Sequence, residues 1–178
     1  MSDQRPLAGL RVVELGQLLA GPFTGTILGY FGAEVIKVEP PTGDPVRQWR
    51  EVRDGTSLWY HSLGRNKKSV TLDLKSERGQ QVAFDLLCKA DVVVENFRPG
   101  AMEKWGLGPE DVKAKNPRVI YARISGYGQT GPFAHKPGYA SVTGLASTAH
   151  RAPRWSQVIC ESGAHSPSEE SDSSGEGQ

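Results

Sequence analysis

The chain has 178 residues, of which 37% are hydrophobic and 23% charged, and a formal net charge of +1. That length amounts to about one domain with room for a sizeable core. No apolar run approaches the ~18 residues of a membrane span, and the near-neutral balance argues against a nucleic-acid-binding domain, which is normally strongly basic. Two cysteines, Cys88 and Cys160, are too few for a disulfide framework and fit a reducing compartment. In the N-terminal MSDQRPLAGLRVVELG, Arg11 and Glu14 interrupt what would be the apolar centre of a leader, so no secretory signal is read. The expected location is cytoplasmic, with the mitochondrial matrix left open for a eukaryotic source although no presequence is seen.

In chain order, the β-branched run Arg11–Leu15 is the first strand candidate. A helix follows to about Tyr30, with Pro22 in its first turn. Phe23, Ile27, Leu28 and Phe31 recur at helical spacing and are expected to face the core. Gly32 closes the helix, and Glu34–Glu39 alternates as a second strand. Residues 40–66 are expected to be loop, with PPTGDP and RDGTS as turn chemistry. Ser69–Leu74 is the third strand, and Ser76 opens a helix with Arg78 and Lys89 on its wet side. Asp91–Val94 is the fourth strand, short helices follow near Ala101–Trp105 and Pro109–Lys115, and Val119–Ser125 is the fifth strand. Strands alternating with helices predict an α/β fold, a Rossmann-like, mainly parallel sheet flanked by helices, which binds ligands beyond the carboxyl ends of its strands.

The charge divides the chain. Residues 1–160 carry +6 and residues 161–178 carry −5, with no Lys or Arg in the latter. The Ser/Glu/Gly-rich end has too little apolar surface to offset its ordering entropy and is expected to be disordered from about residue 155. The resulting division is a folded 1–150 and a divergent tail, 151–178.

Among the motifs, Gly126–Gly131 (GYGQTG) matches G-x-G-x-x-G after a predicted strand. Pro132 and Pro137 forbid the helix that a dinucleotide site needs next, and no acidic residue follows at the required place, so a nicotinamide or flavin site is rejected. The loop reads instead as a tight turn approaching backbone or ligand. His61, His135, His150 and His165 lack metal-site spacing, and no G-x-S-x-G is present. Cys88 reads as an inert buried thiol. Arg65, Asn66, Lys67 and Lys68 form a basic cluster, by default a solvated face and otherwise a phosphate clamp. Glu95–Gly100 (ENFRPG) brings an amide, an aromatic ring and a cation to a strand's carboxyl end, the position for an anionic ligand.

The blocks PLAGLRVVELGQLLAGPF, GAEVIKVEPPTGDPVR, NKKSVTLDL, ADVVVENFRPGAMEKWGLG, NPRVIYARISGYGQTGP and KPGY occur in that order. Over about residues 6–145 the chain resembles the N-terminal part of the family III CoA-transferases, which include formyl-CoA:oxalate, carnitine/butyrobetaine and succinyl-CoA:dicarboxylate transferases. The resemblance implies the first half of a Rossmann-like large domain, two chains interlocked as a homodimer, and transfer of CoA from an acyl-CoA to a carboxylic acid. It implies no permanently bound cofactor, no metal, and no nucleic-acid or membrane partner.

Carried over by position, Gln17, Leu18 and Ala20 resemble the residues around the CoA thiol end. Asn96, Phe97 and Ala101 resemble a segment packing on CoA, Lys104 a basic phosphate contact, and Tyr139 an active-site tyrosine with Lys136 close by. At position 40 this chain has Pro where formyl-CoA transferases have an arginine, with Arg47 or Arg65 as candidate replacements. The family nucleophile is an aspartate, giving an aspartyl anhydride and then an aspartyl-CoA thioester. No aspartate here stands in that context: Asp172 lies at about the right distance but in an acidic run, and Asp44, Asp54, Asp73, Asp85, Asp91 and Asp111 do not match. The chain therefore reads as truncated before the nucleophile and inactive alone, the alternative being a non-catalytic CoA-binding fragment or a partner of a longer homologue.

Overall fold

The computed structural model describes residues 5–138 and the strand 158–161. Its centre is a six-stranded sheet built from β1 (Arg11–Glu14), β2 (Glu34–Glu39), β5 (Lys67–Thr71), β6 (Val92–Glu95), β7 (Ile120–Ile124) and β8 (Val158–Glu161), ordered β5-β2-β1-β6-β7-β8. All neighbours run parallel except β8, which pairs antiparallel with β7. The chain starts at the middle of the sheet, builds outward through β2 to β5, then returns to the other side of β1 to lay down β6 and β7. Central parallel strands are covered on both faces and so need continuous β-branched runs. RVVE and VVVE supply them, with Val12, Val13, Val93 and Val94 at most 1% exposed.

Alternation along the strands sends side chains to two cores. On one face Val13, Leu15, Val38, Val93 and Tyr121 pack under α3 (Glu77–Leu87), α4 (Ala101–Lys104) and α5 (Pro109–Lys113), which contribute Ala83, Leu87, Met102 and Val112. Ser76 caps α3 by accepting from the Gly79 amide, as a serine before a helix should. The buried Tyr121 hydroxyl donates to the Leu107 carbonyl at 2.7 Å, which offsets its desolvation. Val12, Val35, Val94, Ala122 and Ile124 form the second core, with Leu7 and Leu28 at its border.

α1 (Ala20–Tyr30) corrects an expectation from the spacing. Phe23 and Phe31 are 57% and 51% exposed, Tyr30 is exposed beside them, and the buried positions are Gly21, Pro22, Gly25, Thr26 and Gly29. Of the expected core stripe, Leu28 reaches the second core and Ile27 is half-buried. The reason lies below the helix. A Cβ on Gly25 would stand 2.0 Å from Glu14 Oε2, so only a glycine face lets α1 settle over that buried carboxylate. The large side chains are left outside.

Three boundaries also move. Residues 40–66 are not simply loop: Pro45–Gln48 is a 3-10 turn, β3 (Val52–Arg53) and β4 (Thr56–Ser57) form a hairpin, and α2 (Leu58–Leu63) follows. The third strand of the main sheet lies at 67–71 rather than 69–74, paired with β2 from Val35↔Lys67 to Glu39↔Thr71. Leu72 and Leu74 instead leave the strand and pack against the larger core. Val158–Glu161 falls in the stretch expected to be disordered, yet its VICE sequence has the β-branched character to pair with Tyr121–Ile124. The remainder of that tail lies outside the described residues.

Candidate functional site

The strand order reverses between β1 and β6, and there the chain leaves the sheet in two directions, through residues 15–19 into α1 and through residues 96–100 into α4. Such a switch point opens the crevice in which doubly wound sheets hold ligands. One side chain ties the two loops together. Asn96 Oδ1 accepts from the Gln17 amide at 2.8 Å, and Asn96 Nδ2 donates to the Gln17 carbonyl at 3.0 Å. Gly16 and Gly21 allow this approach, since a Cβ on either would lie within 3.0 Å of Asn96 Oδ1. With both backbone groups of Gln17 occupied, its half-buried carboxamide makes no hydrogen bond among the described residues. Among the described residues no side chain caps α1, whose N-terminus opens beside this loop.

Behind the crevice, three adjacent strands end in buried glutamates: Glu39 on β2, Glu14 on β1 and Glu95 on β6. A buried carboxylate must be paired, and each one is. Lys37 Nζ lies 2.9 Å from Glu14 Oε1 and 2.8 Å from Asp44 Oδ2, and it donates to the Gly16 carbonyl. Lys67 Nζ takes the other Glu14 oxygen at 2.6 Å and also donates to the Pro22 carbonyl. Burial pulls both ammonium groups down. At Lys37 the carboxylates of Glu14 and Asp44 more than reverse it, whereas at Lys67 burial outweighs Glu14 and the repulsion of Lys37 adds to it. Glu95 accepts from the Phe97 amide at 2.6 Å and from Arg123 Nε at 3.0 Å, while the same guanidinium reaches Glu103. Burial still holds the Glu95 carboxyl above its ordinary range.

Glu39 is bound more fully. Arg47 grips it with two nitrogens at 2.7 Å each, the Asp44 amide donates to Oε2, and the Ser69 and Tyr60 hydroxyls donate to Oε1. Burial pushes this carboxyl up, but these donors outweigh it and hold it at about 2. Tyr60, desolvated and facing that carboxylate, is pushed up to about 12. Asp44 carries the chain of contacts back to the crevice, since its Oδ1 accepts from both the Val46 and the Leu18 amides.

Residues 7–154 match the model of CoA-transferase family III. The chain belongs to this family. It is 54% identical over 147 residues to the succinyl-CoA–D-citramalate CoA-transferase of Chloroflexus aurantiacus, an alignment covering 80% of this chain and 37% of that protein. It is 44% identical over 149 residues to the human succinyl-CoA:glutarate CoA-transferase, covering 83% and 34%. A CAIB/BAIF family protein from Brucella suis has the same fold, with a TM-score of 0.76 at 42% identity over 82% of this chain and 40% of that one. The chain thus spans about a third of the length of these curated relatives.

Within the family III framework, the residues singled out from the sequence fall into three groups. Gln17 and Leu18 lie in the loop after β1 with Ala20 opening α1, and Asn96 and Phe97 lie in the loop after β6 with Ala101 opening α4, the two loops being joined by Asn96. Lys104, on α4, is exposed, and Phe97 sits edge-on to Trp105 with centroids 5.4 Å apart. Lys136 is separate from them in sequence, in the turns after GYGQTG, with its ammonium 4.5 Å from the Phe133 ring. Residues 132–138 form turns rather than a helix, and Gly138 packs directly on the Gly126 backbone. Tyr139 and Asp172 lie outside the described residues.

Two expectations are corrected. Arg47 is no free cation for a nucleotide, because Glu39 holds it bidentately and Tyr60 lies under its guanidinium, 3.7 Å from the ring centroid. The basic cluster is neither one solvated face nor one clamp: Lys67 is buried on Glu14, Lys68 pairs with Glu34 at the surface, and only Arg65, 5.9 Å from the Tyr30 ring, stays lightly held. Cys88, half-buried at the end of α3, has its thiol pushed up by burial and then by Asp85, as suits an unreactive thiol. Sequence reasoning missed Glu14, Lys37, Asp44 and Arg123. A signal was present, in that RVVE, EVIKVE and VVVE each end an apolar run on glutamate.

Proposed function

We propose that this chain forms the CoA-holding part of an acyl-CoA:carboxylate CoA-transferase, with the thiol end of CoA at the Gln17–Ala20 loop. One observation carries the reading: the two loops at the switch point and the first residues of α1 and α4 contain most of the positions that the family resemblance assigns to CoA, and the Gln17 carboxamide there has no hydrogen-bond partner among the described residues. The exposed cations Lys104, Arg98 and Arg65 are candidates for the phosphates, which pair well with ammonium and guanidinium groups. In the full reaction an aspartate attacks the thioester carbonyl, releasing CoA thiolate and leaving a mixed anhydride. The thiolate then attacks the aspartyl carbonyl, expelling the donor's carboxylate and forming an aspartyl-CoA thioester. The acceptor carboxylate attacks this thioester, and the released thiolate takes the new acyl group from the second anhydride, which frees the aspartate. This chain's residues hold the thiol end and shield it from water; no aspartate of residues 1–178 is assigned the nucleophilic role. The names of the relatives support succinyl-CoA as the donor and a short dicarboxylic acid as the acceptor. A second reading, a non-catalytic CoA-binding partner of a longer homologue, is favoured by the exposed aromatic face of α1.

Calorimetric titration of the 178-residue chain with CoA tests this. Binding is expected, weaker in Lys104→Ala and weaker again in Gln17→Ala/Asn96→Ala/Lys104→Ala. Equal affinity in the wild type and the triple variant removes the site.

A further inference from the structure

Leu18 has φ +63°, a left-handed conformation that a non-glycine residue rarely adopts and that persists only where its surroundings impose it. Two groups impose it here. Asn96 holds the preceding residue, Gln17, at both its amide and its carbonyl, and Asp44 Oδ1 accepts from the Leu18 amide at 3.1 Å across 26 residues of sequence. Asp44 is itself immobilised. It is 1% exposed, its amide is fixed to Glu39, the same Oδ1 accepts from the Val46 amide, and Oδ2 lies 2.8 Å from the buried Lys37 ammonium. The bonds to Gln17 and Leu18 fall between β1 and α1 and belong to neither the strand ladder nor the helix. They fix the turn between the two, the turn that carries the Gln17 carboxamide.

We propose that Asp44 is a positioning residue: it locks Leu18 in the left-handed conformation and thereby sets the Gln17 loop for the CoA thiol end, a role that rests on the CoA reading above. Asp44 touches no substrate in this assignment; it acts through the Leu18 amide.

The test compares wild type, Asp44→Ser and Asp44→Asn in the full chain. A serine at 44 still caps the 3-10 turn by accepting from Val46 but is too short for Leu18, whereas an asparagine keeps Oδ1 for both amides and gives up only the Oδ2 contact with Lys37, whose ammonium Glu14 and the Gly16 carbonyl still hold. Amide hydrogen exchange of the ligand-free chain is read first. The Leu18 amide is expected to be protected in wild type and in Asp44→Asn, and to exchange about tenfold or more faster in Asp44→Ser, with Val13 and Val94 unchanged. CoA affinity is expected to fall about tenfold in Asp44→Ser and to recover in Asp44→Asn. An unprotected Leu18 amide in wild type overturns the proposal even if a variant fails to fold, and so does unchanged exchange or unchanged CoA affinity in a folded Asp44→Ser. A wild-type chain that binds no CoA sinks the CoA reading instead, while the exchange data still decide whether Asp44 locks the loop.

Discussion

Lys67 and Lys68 are adjacent in sequence and opposite in environment. The Lys67 side chain is 2% exposed on the Glu14 carboxylate, while that of Lys68 is 71% exposed on Glu34. Removing one partner of a buried pair leaves a charge poorly compensated and costs about 3–5 kcal/mol, whereas an exposed pair is worth about 0–1 kcal/mol. Lys67→Met is therefore expected to lower the urea midpoint severely and Lys68→Met hardly at all; equal shifts would contradict the buried network. Glu39 gives a pH dependence at the same scale. Its carboxyl is held at about 2, below the ordinary value of 4.5, so the native state prefers its charged form. That stabilisation is complete above about pH 4.5 and is lost as pH falls towards 2. Stability measured between pH 5 and 2 is expected to drop, with a shallower slope in Glu39→Gln.

For α1, the reversal of its faces makes two substitutions diverge. Phe23 would cost about 3–5 kcal/mol on truncation if it faced the core. At 57% exposure Phe23→Ala is expected to change stability by only about 0.5 kcal/mol. Gly25→Ala, ordinarily a helix-favouring change, is expected to destabilise by about 2 kcal/mol or more, because its Cβ meets the paired Glu14 carboxylate. Thermal melts of the two variants check the orientation, and a more stable Gly25→Ala would refute it. β8 teaches the opposite lesson to the polar run around it. Four residues, VICE, two of them β-branched, pair along the outer edge of β7 in a segment whose composition alone reads as unstructured.

For the whole molecule, loops held by buried charge pairs at the strand ends suit a binding surface prepared before its ligand arrives. Such preorganisation lowers the ordering cost of association. The chain alone is expected to bind CoA yet give no transfer from succinyl-CoA to a panel of dicarboxylic acids, followed by mass spectrometry with hydroxylamine to trap acyl-enzyme. An anhydride needs both the nucleophile and exclusion of water. Transfer above the uncatalysed rate, abolished by Asp172→Ala, would show that the aspartate left unassigned is the nucleophile.

The Gln17 and Asn96 loops are picked out through the family resemblance, whereas the strand–helix alternation and the parallel sheet are legible in the residues themselves. Those depend on local signals, namely β-branched runs, Ser76 and Pro109 at helix starts, and turn-forming glycines, which act over a few residues. Tertiary contacts set which face of α1 is buried, which lysine of the basic cluster is buried with its partner, and that Arg47 is committed to Glu39. Glu14 lies 53 residues from Lys67 and Asp44 lies 26 from Leu18, while Arg47 and Glu39, only 8 apart, meet because the chain turns back after β2. Helical spacing states that a face is apolar, not what lies beneath it. Here a buried carboxylate lies beneath, and only glycine leaves it room.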